Sequence, residues 1–371
     1  MDQPNSILDK ILYSKKTSEI EHFNPSEVVT ELFKNLTSRE EDVLRKRYGL
    51  LGKERETLEN IGISYHVTRE RIRQVEKSGI GKLLKAKNYN SLTGPIERTV
   101  FSVLEQHGGV MTEDLLLKEL LQAVGDNFTN RQNIIFIISE LLGHKFKLLV
   151  DSIVQRRAWY LIHAPLQIIN KSNEILFQII EKNSRPLTIS DIIINFKKTD
   201  FYRQNKDLLP DDAIISYITI DKKISKNPFD EYGLTSWGSI VPKRMNDKIY
   251  LVLKKSGKPM HFTEIANKIN EIKFDSRMAY PPTVHNELIL NKQYVLVGRG
   301  IYALKEWGYQ PGVVSTVLEN ILRNDQKALN REELVEKLLK QRMVKKNTIH
   351  LALANRSKFK KNSDNTYSLA S

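Results

Sequence analysis

The stretch Thr57–Leu84, "TLENIGISYHVTRERIRQVEKSGIGKLL", decides how the rest of the chain is read. Two helical patterns flank a short Ser-Tyr-His-Val connection. Ile61, Val67, Ile72 and Val75 are spaced to pack the pair together, and Gly62 is expected to close the first helix and permit the sharp reversal of a helix–turn–helix. That packing leaves Arg69, Glu70, Arg71, Arg73 and Gln74 facing outward, with Lys77 one turn further on. These residue types have DNA chemistry. Arginine reads guanine bidentately, glutamate accepts from cytosine N4 and glutamine pairs with adenine. The plain alternative is a solvated, charged helix face.

Working outward, residues 26–88 read as an all-helical head. "NPSEVVTELFKNL" supplies one helix. "TSREEDVLRKRYGL" supplies the next, with Thr37 or Ser38 as its cap, Glu40 and Glu41 in its first turn and Gly49 at its end. Gly79 and Gly81 weaken the last helix, since glycine costs about 1 kcal/mol relative to alanine in a helix interior.

"TLENIGISYHVTRERIRQVE" resembles region 4.2 of sigma-70-type RNA polymerase sigma factors, and "LTSREEDVLRKRYGL" resembles region 4.1. The resemblance runs from about residue 32 to residue 84. It implies that the second helix of the pair reads a promoter −35 element. Arg69, Glu70 and Gln74 would then meet base edges. Arg71, Arg73, Thr57, Arg45, Arg47 and Lys77 would meet the DNA backbone or an activator. Nothing in the chain resembles regions 2 and 3, so a complete primary sigma factor is not expected.

Beyond the head, one order of elements recurs. Pro95, Pro165, Pro242 and Pro311 fall about 70 residues apart, the size of a small domain. Each interval opens with a helical pattern, such as Val314, Val317, Leu318 and Ile321. A turn and second helix follow, with Thr112, Ser190, Thr263 and Asn330 as candidate caps. A third helix and a strand–turn–strand close the interval. The clearest hairpin is "YVLVGRGIYALKEW" from Tyr294, where Gly298 and Gly300 are expected to supply positive φ. Three helices and a hairpin make a winged helix. The expected divisions are a polar segment at 1–25, the head at 26–88, and winged helices at 95–163, 166–238, 243–309 and 311–371. "KIYLVLKKSGKPMHFTEIANKI" from Lys248, with "TVHNEL" and "VGRGIYAL", is similar to HARE-type helix–turn–helix domains, including that of the RNA polymerase delta subunit, over about 245–309. Arg299, at the tip of that wing, is a candidate minor-groove or phosphate contact.

The fold class expected is therefore mainly α with small β-hairpins, a helix–turn–helix head followed by a tandem array of winged-helix modules. The net charge of +14 favours an acidic partner. Double-stranded DNA, as promoter, and RNA polymerase core are the partners this reading expects. The absence of cysteine removes disulfides and thiolate zinc sites together. Histidines form no HxH or HExxH pattern, and "GLLGKE" from Gly49 lacks phosphate-loop spacing. No enzyme, cofactor, metal or small-molecule substrate is expected. Apolar runs such as Ile134–Ile138 fall far short of a membrane span, so a cytoplasmic protein is expected. Three functions remain open: a sigma region-4-type transcription factor acting in initiation, a delta-like polymerase accessory subunit without its own DNA motif, and a DNA-specificity subunit of a restriction or modification enzyme.

Overall fold

The computed structural model describes residues 24–52, 54–122 and 124–370; the expected polar segment at 1–25 lies outside them as far as residue 23. The chain divides into two compact units, Met1–Ile224 and Ser225–Ser371. It is mainly helical, with short strands in antiparallel three-stranded sheets, and it carries a helix–turn–helix head followed by winged-helix modules.

The head comprises α1 (Pro25–Phe33), α2 (Ser38–Tyr48), α3 (Leu58–Ser64) and α4 (Arg69–Leu84). Asn24 caps α1. Thr37 caps α2 in a capping box with Glu40, and Gly49 ends it in the left-handed region at φ 67°. After only residues 85–88 the chain enters α5 (Tyr89–Gln106), which contains Pro95 well inside it rather than at a boundary. The helix survives its missing N–H because Ile96, Val100, Val103 and Leu104 bury one side of it. There follow β1 (Val110–Thr112), α6 (Glu113–Leu120), α7 (Phe128–Phe136) with a π turn at Ile137–Leu141, β2 (Phe146–Leu149) and β3 (Ala158–Leu161). The strands pair antiparallel in the order β1-β3-β2, with Val110 opposite Tyr160 and Phe146 opposite Leu161.

One hydrophobic core serves both the head and this first repeat. Val29, Leu32, Phe33, Leu44, Leu50 and Leu83 join Val100, Leu116, Phe136, Ile137, Leu141 and Trp159 in a single cluster. Polar groups reinforce the seam. Asn133 donates to the Ser26 hydroxyl at 2.9 Å, and that hydroxyl donates to Asn130 at 3.0 Å.

The second repeat contributes α8 (Leu166–Asn183), β4 (Leu187–Thr188), α9 (Ile189–Lys197), α10 (Asp200–Asn205), α11 (Asp211–Ile220), β5 (Ile224–Lys226) and β6 (Glu231–Leu234); the division between the units runs through β5. The short α10, capped by Thr199, interrupts the expected three-helix order. The base of the first wing carries a packing contact. Arg156, in the β2–β3 loop, donates to the carbonyls of Thr219 and Asp221 at 2.7 Å and Ile224 at 3.0 Å, so one guanidinium holds the end of α11. Arg156→Ala is expected to cost about 2 kcal/mol by stranding these carbonyls. Denaturant midpoints and proteolysis of the loop at residues 150–157 check this, and an unchanged midpoint with an uncut loop would count against the clamp.

The second unit holds α12 (Met245–Ser256), β7 (Met260–His261), α13 (Phe262–Ile272), α14 (Pro281–Leu290), β8 (Tyr294–Gly298) and β9 (Ile301–Leu304), then α15 (Val314–Asp325), β10 (Leu329–Asn330), α16 (Arg331–Leu339), α17 (Lys346–Leu353), β11 (Phe359–Lys361) and β12 (Thr366–Leu369). The sheet orders are β7-β9-β8 and β10-β12-β11, the same pattern as in the first repeat. In each case a strand of two or three residues before the second helix completes the hairpin. Those strands are too short to show a period of two, and the sequence reading takes them for turns.

Two expected caps are corrected. Thr188, not Ser190, accepts from the Asp191 N–H, and His261, not Thr263, occupies the cap of α13, because each helix starts directly from its short strand. Asn330 caps α16 in a capping box, while Thr112 sits at its cap position without a side-chain bond.

Candidate nucleic-acid interface

The exposed cations lie on α4, and local chemistry fixes how they are shown. The Thr68 hydroxyl accepts from the Arg71 N–H at 3.2 Å, which starts α4 at Arg69 and places Glu70 in its first turn. Ile72 is fully buried with Ile61 and Val43, flanked by Leu58, Tyr65, Val67 and Val75. With that side buried, Arg69, Glu70, Arg71, Arg73, Gln74 and Lys77 are all exposed.

The reversal before α4 differs from expectation. Gly62 lies inside α3, and a Cβ there would stand 2.8 Å from the Val67 carbonyl oxygen, so it is required for close approach rather than for a turn. The left-handed position is taken by His66 at φ 53°. Gly79, expected only to weaken α4, has a packing reason. It lets the helix pack on α2, where a Cβ would come within 3.1 Å of Leu44.

A buried carboxylate fixes the second half of α4. Glu40 accepts from the Thr37 N–H at 3.0 Å, the Thr37 hydroxyl at 2.8 Å, the Ser78 hydroxyl at 3.0 Å and Lys82 Nζ at 2.8 Å. Burial pushes its carboxyl up, but Lys82, Thr37 and Ser78 together pull it down to about 2. The sequence shows Glu40 only as a capping residue. Its reach to α4 depends on helix crossing, which periodicity does not reveal.

On the exposed face, Arg73 donates to both carboxylate oxygens of Glu70, at 2.8 and 2.7 Å, and holds that carboxyl below its usual range. Arg71 donates to Gln74 Oε1 at 3.0 Å. Surface pairs of this kind contribute little, so they exchange readily for a partner's groups. The Arg69 side chain makes no hydrogen bond or ion pair among the described residues.

The flanking candidates divide. Thr57 is exposed and caps α3 by accepting from the Asn60 N–H. Arg45 and Arg47 are half-buried and paired within the head. Arg45 pairs with Glu41 and lies over the Phe33 ring, and Arg47 Nε donates to Glu76 at 3.2 Å. Arg299 is exposed at the turn between β8 and β9. There only Gly300 has positive φ, at 68°, while Gly298 follows a register shift in β8. A Cβ on Gly298 would clash with the Met343 carbonyl at 2.6 Å, and Arg342 donates to the Leu296 carbonyl at 2.7 Å, so β8 is braced from the next module.

Among the described residues, no group of three or more His, Asp or Glu stands together as a metal would require, and no helix is long and apolar enough to cross a membrane.

The head as built has known counterparts. Residues 32–85 match the family model for sigma-70, region 4. Over 57 residues the chain is 51% identical to the RNA polymerase sigma factor SigA of Lactococcus lactis subsp. cremoris, covering 15% of this chain and 16% of that protein. It is 53% identical over 57 residues to SigA1 of Synechococcus elongatus, covering 14% of it, and 47% identical over 66 residues to SigA of Nostoc sp., covering 17% of it. The chain thus spans about a sixth of the length of these relatives, and the likeness lies in the head that carries α3 and α4.

Proposed function

We infer that this protein is a DNA-binding transcription factor of sigma region-4 type, acting in initiation by reading a −35-like promoter element and contacting RNA polymerase core. The observation that carries this reading is α4. It lies within the region-4 match, is capped so that Arg69 and Glu70 begin it, and exposes Arg69, Glu70 and Gln74 together. Arg69, Glu70 and Gln74 specify bases. Arg71, Arg73, Thr57 and Lys77 contact phosphates or a neighbouring activator. Arg45 and Arg47 serve by holding α2 against its neighbours rather than by reaching phosphate. The protein catalyses nothing itself. Binding is non-covalent and driven by counterion release from the duplex.

Arg69→Ala is expected to cost about 1–3 kcal/mol on the preferred site and to relax choice at one base position. Selection from random duplexes with wild type and variant checks it. No preferred motif for wild type, or indistinguishable motifs for the two, would sink the reading.

The second reading is a polymerase accessory subunit without its own motif. It is supported by the resemblance read from the sequence of about residues 245–309 to HARE-type domains, and by the small share of the chain, residues 32–85, that region 4 accounts for. Co-purification with core polymerase from nuclease-treated lysate, together with failure of the selection to yield a motif, would favour it. Recovery instead with a DNA-cleaving or DNA-methylating enzyme would point to a specificity subunit.

A further inference from the structure

Gly81 has no structural reason to be glycine. Its backbone is ordinary α-helix, and a Cβ there would meet nothing within 4 Å, unlike Gly79, whose Cβ would press on Leu44. Glycine in a helix interior is among the costliest ordinary residues. Gly81 therefore gives up stability and leaves a notch in the surface of α4. Gly81 lines an open groove together with Lys77, Lys82, Lys85 and Lys87, with Asn35, Ser78 and Asn88 as polar neighbours. Lys82 is shared with Glu40. Lys77, Lys85 and Lys87 are exposed and make no ion pair among the described residues.

The notch continues the reading face. Glu70, Gln74, Lys77, Gly81 and Lys85 follow one another at helical spacings of three and four, so they form one stripe. At 1.5 Å per residue, Gly81 lies about 10 Å along the axis from Gln74. The major groove is about 12 Å wide. A helix whose Gln74 reaches base edges thus carries Gly81 out to the level of a sugar–phosphate ridge. A solvated lysine face would need no missing side chain at its centre; a ridge that must approach the helix backbone does.

We propose that the Gly81 notch, ringed by Lys77, Lys82, Lys85 and Lys87, seats a phosphodiester ridge of the duplex that the first half of α4 reads. This rests on the promoter-reading role of α4. The ligand chemistry is a phosphate diester, and its source is double-stranded DNA.

The test uses the full chain, a duplex carrying the selected motif and a titration of salt. Gly81→Ala is expected to raise the melting temperature by about 3 °C, through helix propensity in a unit of this size. The same variant is expected to bind the duplex about tenfold more weakly, the size of one lost charge-assisted contact. Lys85→Gln combined with Lys87→Gln is expected to reduce the salt slope by about 2, at roughly 0.9 per phosphate contact, and to leave the selected motif unchanged. A preferred motif in wild type with unaltered affinity in Gly81→Ala overturns the seat while leaving the reading intact. No motif in any variant defeats the reading itself. Binding of inorganic phosphate alone, lost in Gly81→Ala without loss of duplex affinity, makes the notch a small-anion site and also overturns the proposal.

Discussion

Replacing Phe136 with alanine is expected to cost about 3–5 kcal/mol, the range for truncating a buried aromatic residue, and to loosen the head and the first repeat together. Phe136 is fully buried at the end of α7. Its ring meets Phe33 of α1 edge-on at 6.0 Å and Tyr48 of α2 at 4.9 Å. Tyr48 in turn donates to Glu76 of α4 at 2.9 Å. One side chain of the first repeat is thus packed against two of the head's four helices and sits one hydrogen bond from α4. Hydrogen exchange checks the coupling. Amides of α4 and of β3 should lose protection by similar amounts in Phe136→Ala. If α4 keeps wild-type protection while β3 loses it, the two cores are independent and the prediction fails.

This coupling changes what the head is. A helix–turn–helix on a tether explores all orientations, and each contact made elsewhere adds only effective concentration. Here the single core and the short connection at residues 85–88 make α4 part of the first unit's body. Arg156 extends that body to the end of α11. The orientation of α4 within this unit is thus set by folding rather than by docking.

What the sequence discloses here follows range. Interactions within a turn or two of helix were legible: the Thr37 capping box, the packing of Ile61 against Ile72, the exposure of Arg69 and Gln74, and the hairpin around Gly300. Glycine was harder to read, because one residue type serves positive φ, close approach and an open notch alike. Gly300 does the first, Gly62 and Gly79 the second and Gly81 the third. Pro95 misled in the same way, since burial of one helix face outweighs a single missing hydrogen bond. The shared core was not legible at all. Phe136 and Phe33 are each ordinary apolar positions in their own helices, and only the tertiary crossing brings them together. The placing of Arg45 over Phe33 is of the same kind, since the ring comes from another helix.

Glu40 sets the second large expectation, in its pH dependence. Its folded carboxyl is lowered to about 2 from a model-peptide value of 4.5, because Lys82, Ser78 and Thr37 outweigh the cost of burial. A depressed folded pKa contributes stability that is fully present above the unfolded value and is lost as pH falls through the folded one. The contribution is about 3 kcal/mol at neutral pH and falls to less than half of that by pH 3. Glu40→Gln retains the shape and removes the charge, so it is expected to be about 3 kcal/mol less stable than wild type at pH 7, with the gap closing steadily below pH 4.5. Other carboxylates, such as Asp126 and Asp275, titrate in both proteins and cancel in the difference. Urea midpoints for the pair at pH 7, 4 and 3 measure it, and a gap that stays constant with pH would refute the assignment. The consequence for recognition is specific. Glu40 grips Ser78 and Lys82, one to two turns beyond Gln74, so its loss loosens the far half of α4, which Leu83 still anchors in the core, while Thr68 caps the near half. The variant should therefore keep the base preference of Arg69 and lose affinity uniformly across sequences, the opposite of the pattern for Arg69→Ala.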